Sequence, residues 1–154
     1  AMLNIGDAVP DFTVESDTAG TISSEALRGQ RYVIYFYPKD DTPGCTNEAR
    51  DFSEHIDAFA AAGATVIGVS RDPVKKLDRF KAKYDLKVVL ASDEPEDVTE
   101  AFGVWVEKKL YGREYMGIER ATFLIDGAGV VRRVWRKVSV KGHAAEVLAA
   151  VQSL

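Results

Sequence analysis

Apolar residues in this chain gather in short unbroken runs, separated by stretches where they recur at helical spacing. The run RYVIYFYP, Arg31 to Pro38, is β-branched and aromatic without polar alternation, which predicts a strand buried on both faces. ATVIGVS, Ala64 to Ser70, and VVLA, Val88 to Ala91, read the same way. Between them Ala49, Phe52, Ile56 and Phe59 fall on one helical face, and Gly63 is placed to end that helix. Val74, Leu77, Phe80 and Tyr84 mark a second helix opened by Asp72-Pro73, and a short one is predicted over Glu96 to Phe102. TFLID, Thr122 to Asp126, and VVRRVW, Val130 to Trp135, flank a Gly-Ala-Gly turn and predict an antiparallel hairpin. A last helix carries Val147, Leu148, Val151 and Leu154 on one face, and the FTVES and Gly-Thr-Ile segments predict a small N-terminal hairpin.

Alternating strands and helices followed by a hairpin and a helix predict an α/β sandwich with a mixed central sheet. That order, with the first helix starting just after a buried strand, matches a thioredoxin-like fold. The 154 residues suffice for one domain, expected to span 1–154, and no repeat or linker divides them.

Composition narrows the function. Net charge is −4, with acids and bases interleaved, so no footprint for nucleic acid is expected. The longest apolar runs, of about seven residues, fall far short of the roughly 20 a membrane helix needs. The first residues are polar and acidic and do not read as a signal peptide, and Ala1 ahead of Met2 reads as a tag remnant. The chain has one cysteine, Cys45, which suits a reducing compartment, and a cytoplasmic location is expected. His55 and His143 lack partners at metal-ligand spacing, so neither a metal nor a cofactor is expected.

The candidate chemistry lies in YFYPKDDTPGCTNEARDF, Tyr35 to Phe52. A buried strand ends at Tyr37-Pro38, a polar loop follows, and Thr42-Pro43 opens a helix with Thr42 as N-cap and Pro43 in the first helical position. Cys45 then falls in the first turn, where free amides and the positive end of the dipole favour a thiolate nucleophile. Glu48 is read either as orienting Thr42 or an arginine, or as an acid in the first turn that suits the dipole. Tyr37, Trp105 and Trp135 are read as core or pocket wall.

Pro38, Thr42 and Cys45 match the Pro-x-x-x-Thr-x-x-Cys signature of peroxiredoxins. YFYPKDDTPGCTNEA resembles the active-site segment of the bacterioferritin-comigratory-protein, or PrxQ, subfamily, and FGVW, KLYGREYMGIERATFLIDGAG and VKGHAAEVL resemble it in the same order. The resemblance covers essentially the whole chain. It implies a thiol-dependent peroxidase in which Cys45 attacks a hydrogen peroxide or organic hydroperoxide oxygen and becomes a sulfenic acid. By the same resemblance Thr42 hydrogen-bonds the peroxide, Arg120 in IERATF supplies a permanent cation, and Pro38 shields the thiolate. The backbone amides of Gly44 and Cys45 are candidate partners for a peroxide oxygen. A monomer or weak dimer is implied as well.

The chain departs from these relatives in one respect. Many of them carry a resolving cysteine five positions after the first, where Arg50 stands here, and others place it in the next long helix, which has none. A one-cysteine cycle follows, with recovery by an external thiol: thioredoxin, glutaredoxin or a glutathione-like thiol. Arg50 could help dock the carboxylate of such a small thiol, against the simpler reading of a solvent-exposed arginine. A thioredoxin-type oxidoreductase would need a Cys-x-x-Cys pair, which is absent. A peroxide sensor passing oxidation from Cys45 to a partner protein is the competing reading of the same chemistry.

Overall fold

The computed structural model describes residues 2–154; Ala1, expected to be a tag remnant, lies outside the described residues. Strand β1 (Thr13–Ser16) pairs antiparallel with β2 (Thr21–Ser23), forming the expected N-terminal hairpin. The chain continues through β3 (Arg31–Phe36), α1 (Pro43–Glu54), α2 (Ile56–Ala61), β4 (Ala64–Ser70), α3 (Val74–Tyr84) and β5 (Val89–Ser92). It then runs through α4 (Val98–Ala101), β6 (Trp105–Leu110), β7 (Arg113–Ile118), β8 (Ala121–Ile125), β9 (Val131–Trp135) and α5 (His143–Gln152).

Seven strands form one mixed sheet in the order β2-β1-β5-β4-β3-β8-β9. Strand β3 is central, parallel to β4 and antiparallel to β8. It is buried on both faces, and its side chains alternate between two cores. Val33, Tyr35 and the following Tyr37 pack with Phe52, Phe59, Leu77 and Val147 beneath the helices α1, α2, α3 and α5. Tyr32, Ile34 and Phe36 face the other side, with Phe12, Phe102 and Phe123. The unbroken apolar run therefore has two separate destinations, and it pins the loop before α1 to the end of the sheet's middle strand. The N-terminal hairpin joins this sheet through β1 and β5.

Two features differ from the pattern expected. The helix predicted to run through Ala49, Phe52, Ile56 and Phe59 is two helices, interrupted at His55. Ser53 Oγ donates to the Ala49 carbonyl at 2.7 Å, and His55 N reaches Phe52 O, a tighter turn that ends α1. The interruption spans one residue, so the apolar face stays in phase and periodicity does not reveal it. The second difference is the hairpin β6–β7, a two-stranded sheet of its own. Tyr111 (φ 51°) and Gly112 (φ 77°) make the two-residue turn with both φ values positive that hairpins favour.

Candidate active site

Cys45 is the third residue of α1, and its thiol is buried, with 1% of the residue exposed. Thr42 occupies the N-cap position and Pro43 follows at the first helical position, and Thr46 N closes the first turn on Thr42 O at 2.8 Å. The Thr42 side chain does not cap the helix as expected. Its hydroxyl donates back to the Lys39 carbonyl at 2.9 Å, within the preceding loop. Among the described residues the amides of Gly44 and Cys45 consequently meet no acceptor, and they face the entrance to the helix.

Arg120 ends the link between β7 and β8, and antiparallel pairing of β8 with β3 brings it beside the start of α1. Its guanidinium bridges two partners: Nη1 to Glu48 Oε1 at 2.6 Å and Nη2 to Cys45 Sγ at 3.3 Å. A Cβ on Gly44 would stand 3.1 Å from Nη2, so the glycine leaves room for this approach. Glu48 is 1% exposed, lies in the second rather than the first turn of α1, and pairs with Arg120 rather than with Thr42 among the described residues. Burial pushes the Glu48 carboxyl up to about 7, against the opposing pull of Arg120. Burial also opposes the charge on Arg120, but Glu48 and Cys45 together outweigh it and raise its pKa.

The surroundings hold the loop rather than the sulfur. Tyr37 donates to Asp40 Oδ1 at 2.6 Å, and Asp40 N donates to Asp72 Oδ2 at 2.8 Å, tying the loop to the end of β4. Asp40 is 2% exposed, and burial pushes its carboxyl up to about 7. Pro38 is exposed, next to the buried Tyr37. Arg50 is exposed, with its guanidinium 6.0 Å from the centre of the Tyr84 ring. Trp135, partly buried at the edge of the core, meets His143 edge-on, and Trp105 lies under the Arg71 guanidinium, 3.5 Å from the ring centre. His143 pairs with Thr122 Oγ1 at 2.8 Å. No group of three or more metal-ligating side chains occurs among the described residues. No described helix is long and apolar enough to cross a membrane.

What the sequence did not disclose is the role of Gly44 as a space for Arg120, and it left open which of the readings of Glu48 holds. Neither leaves a local signal, because the ion pair joins residues 72 positions apart. The arrangement places a nucleophilic sulfur, a fixed cation and two free amides at one helix start, which suits attack on a polarisable bond between two oxygens.

The AhpC/TSA family profile matches residues 5–134. Peroxiredoxin Bcp of Bacillus subtilis is 45% identical over 152 residues, covering 99% of this chain and 97% of its own. The solved bacterioferritin comigratory protein of Xanthomonas campestris superposes with a TM-score of 0.89 at 44% identity, covering 99% of this chain and 98% of its own. PrxQ of Xylella fastidiosa gives a TM-score of 0.93 at 38% identity, covering 99% and 98%. The chain belongs to the AhpC/TSA family as a thioredoxin-fold peroxiredoxin of the Bcp/PrxQ type, a thiol-dependent peroxidase.

Proposed function

We propose that this peroxidase runs a one-cysteine cycle on Cys45, with Arg120, Thr42 and the Gly44 and Cys45 amides as its substrate-handling groups. The observation that carries the reading is the 3.3 Å approach of Arg120 Nη2 to Cys45 Sγ at the open start of α1. The thiolate attacks one peroxide oxygen; the S–O bond forms, the O–O bond breaks, and water or alcohol leaves. Thr42 has committed its hydroxyl hydrogen to Lys39, so its oxygen is free to accept the peroxide O–H. The two amides and Arg120 stabilise charge gathering on the oxygens, and Pro38 limits access of water at the rim.

Recovery comes from outside. Cys45 is the only cysteine, so an external thiol attacks the sulfenic sulfur, water leaves, and a second thiol resolves the mixed disulfide. Thioredoxin, glutaredoxin and a glutathione-like thiol are the candidate donors, in a reducing, cytoplasmic setting, and the enzyme works as a monomer or weak dimer. A steady-state peroxidase assay with each donor, using Cys45→Ser as control, tests the cycle. Turnover with at least one donor, abolished in Cys45→Ser, is expected; activity surviving in that variant would sink it. One stoichiometric oxidation without turnover would instead identify a sensor.

A further inference from the structure

The hairpin β6–β7 turns a second cation toward the link that carries Arg120. In its ladder Lys108 pairs with Tyr115 and Val106 with Gly117. Lys108 nevertheless leans away from its own partner: its Cδ and Cε lie 3.2 and 3.4 Å from where a Cβ on Gly117 would stand. Gly117 is not among the positive-φ glycines, so backbone conformation does not require it. What it provides is a flat floor for the lysine stem. Gly117 lies two residues nearer the base of the hairpin than Tyr115, so the stem runs baseward. There Glu119 N bonds Val104 O at 2.8 Å, and Arg120 follows directly.

Lys108 is half-buried, and among the described residues its side chain forms no ion pair or hydrogen bond, whereas the adjacent Lys109 pairs with Glu114 at 3.5 Å. Burial and then the charge of Arg120 hold its pKa below the usual lysine range, while Cys45 and Glu119 pull it upward. The baseward course of its stem over Gly117 turns the ammonium toward the link that carries Arg120.

The other polar side chains at the site are engaged. Arg120 spans Glu48 and Cys45 and does not release a proton at physiological pH. Thr42 directs its hydroxyl hydrogen to Lys39. Glu48 is enclosed behind Arg120. Attack on an alkyl hydroperoxide, however, expels an alkoxide, which must take up a proton.

We propose that Lys108 is a further catalytic residue, the donor of that proton to the departing oxygen. This rests on the reading of Cys45 as the nucleophile. As the S–O bond forms and the O–O bond breaks, the electron pair of the O–O bond leaves on the alkoxy oxygen. A Lys108 Nζ–H proton passes to that oxygen, giving the alcohol and a neutral amine, which water reprotonates. Sulfur is oxidised to the sulfenic acid and the peroxide oxygens are reduced, with no further reactant needed. A depressed lysine pKa favours this transfer.

The test compares leaving groups. Lys108→Met keeps the stem over Gly117 but removes the proton. Single-turnover oxidation of Cys45 is measured with tert-butyl hydroperoxide, whose alkoxide needs a proton, and with peracetic acid, whose acetate does not. The variant is expected to slow the first reaction roughly a hundredfold, as loss of a general acid does, and the second less than about threefold. Equal slowing of both reactions, or slowing of neither, overturns the proposal. Alkylation of Cys45 by iodoacetamide is expected to be unchanged; a fall matching that with tert-butyl hydroperoxide would show an effect on the thiolate and overturn it too. Parallel oxidation of Cys45→Ser in an otherwise native chain would point to failure of the nucleophile assignment itself.

Discussion

Glu48 Oε1 and Arg120 Nη1 lie 2.6 Å apart, and the carboxylate is 1% exposed. The pair is thus a buried brace rather than a surface ion pair, and the second nitrogen of the same guanidinium faces Cys45. On this geometry Glu48 is expected to act through Arg120, by fixing where its charge sits. Glu48→Ala is expected to slow peroxide reduction by about tenfold or more, the scale of a lost hydrogen bond to a charged group. Glu48→Gln keeps an acceptor for Nη1 and should stay within about threefold of the native rate. Stopped-flow oxidation of Cys45 in both variants checks this. Equal losses would show that the charge of Glu48, not its position, matters.

Arg120 serves two partners at once because a guanidinium presents two nitrogens in a fixed plane. Lysine has one ammonium and cannot reach Glu48 and Cys45 together. Arg120→Lys is therefore expected to lose roughly a hundredfold in the rate constant for Cys45 oxidation although the charge is conserved. Methionine at this position would also leave Glu48 buried beside no cation, so it should destabilise the fold more above about pH 8 than below about pH 6, where the carboxyl is protonated. Single-turnover kinetics and urea unfolding at the two pH values separate these effects.

The parts of this fold legible in the sequence are those where burial is uniform or periodic. Strands β3 and β4 show as unbroken apolar runs because both faces are covered, and β8–β9 shows because a glycine-rich turn divides two apolar strands. Cys45 at a helix start followed from Pro43 and from the strand before it. The hairpin β6–β7 was not legible, since most of its residues are exposed or half-exposed and neither face imposes a period. The side-chain direction of Thr42 was not legible either: an N-cap residue has two hydrogen-bonding options, and the loop carbonyl of Lys39 wins here. Arg120 was recognisable by resemblance, but its anchor and the glycine that admits it depend on tertiary contacts.

Close packing behind the site gives a stability prediction. Gly68 pairs with Tyr35 across β3 and β4, and a Cβ there would meet the tyrosine Cζ and hydroxyl oxygen at 2.6 Å. Tyr35 cannot easily yield, because its ring stacks on Phe52 at 4.7 Å between centres. Gly68→Ala is expected to cost about 1–3 kcal/mol through overpacking. Among the described residues the buried Tyr35 hydroxyl has no hydrogen-bond partner, so Tyr35→Phe should gain about 1 kcal/mol. The ring still obstructs the alanine in the double variant, yet losing the hydroxyl lets it shift. The double variant should therefore be more stable than the two separate effects added together. Urea denaturation of the four proteins completes the cycle, and strict additivity would show that the hydroxyl is not the obstacle.

His143 links the site to the pH dependence of stability. It is buried beneath Phe52 and Trp135 and pairs with Thr122, and burial, helped by the charge of Arg120, lowers its pKa to about 4. The unfolded chain takes up this proton near pH 6.5, so the imidazole's contribution is present above that pH and is lost as pH falls through about 4. Asp40 and Glu48 have the opposite sign. Both rise to about 7 on folding, so the folded state binds their protons more tightly, and stability from that source is lost as pH rises through about 7. Between about pH 4 and 6.5 the two trends oppose each other, and the two carboxyls outweigh the one imidazole, so these groups leave the native protein losing stability as pH rises across that range. His143→Gln cannot take up the proton. It should be less stable than the native chain at pH 8, where the packed ring is missing, with the gap narrowing steadily toward pH 4. Urea unfolding of both proteins across that range decides the matter: a gap that stays constant with pH would mean that His143 is not the group resisting protonation.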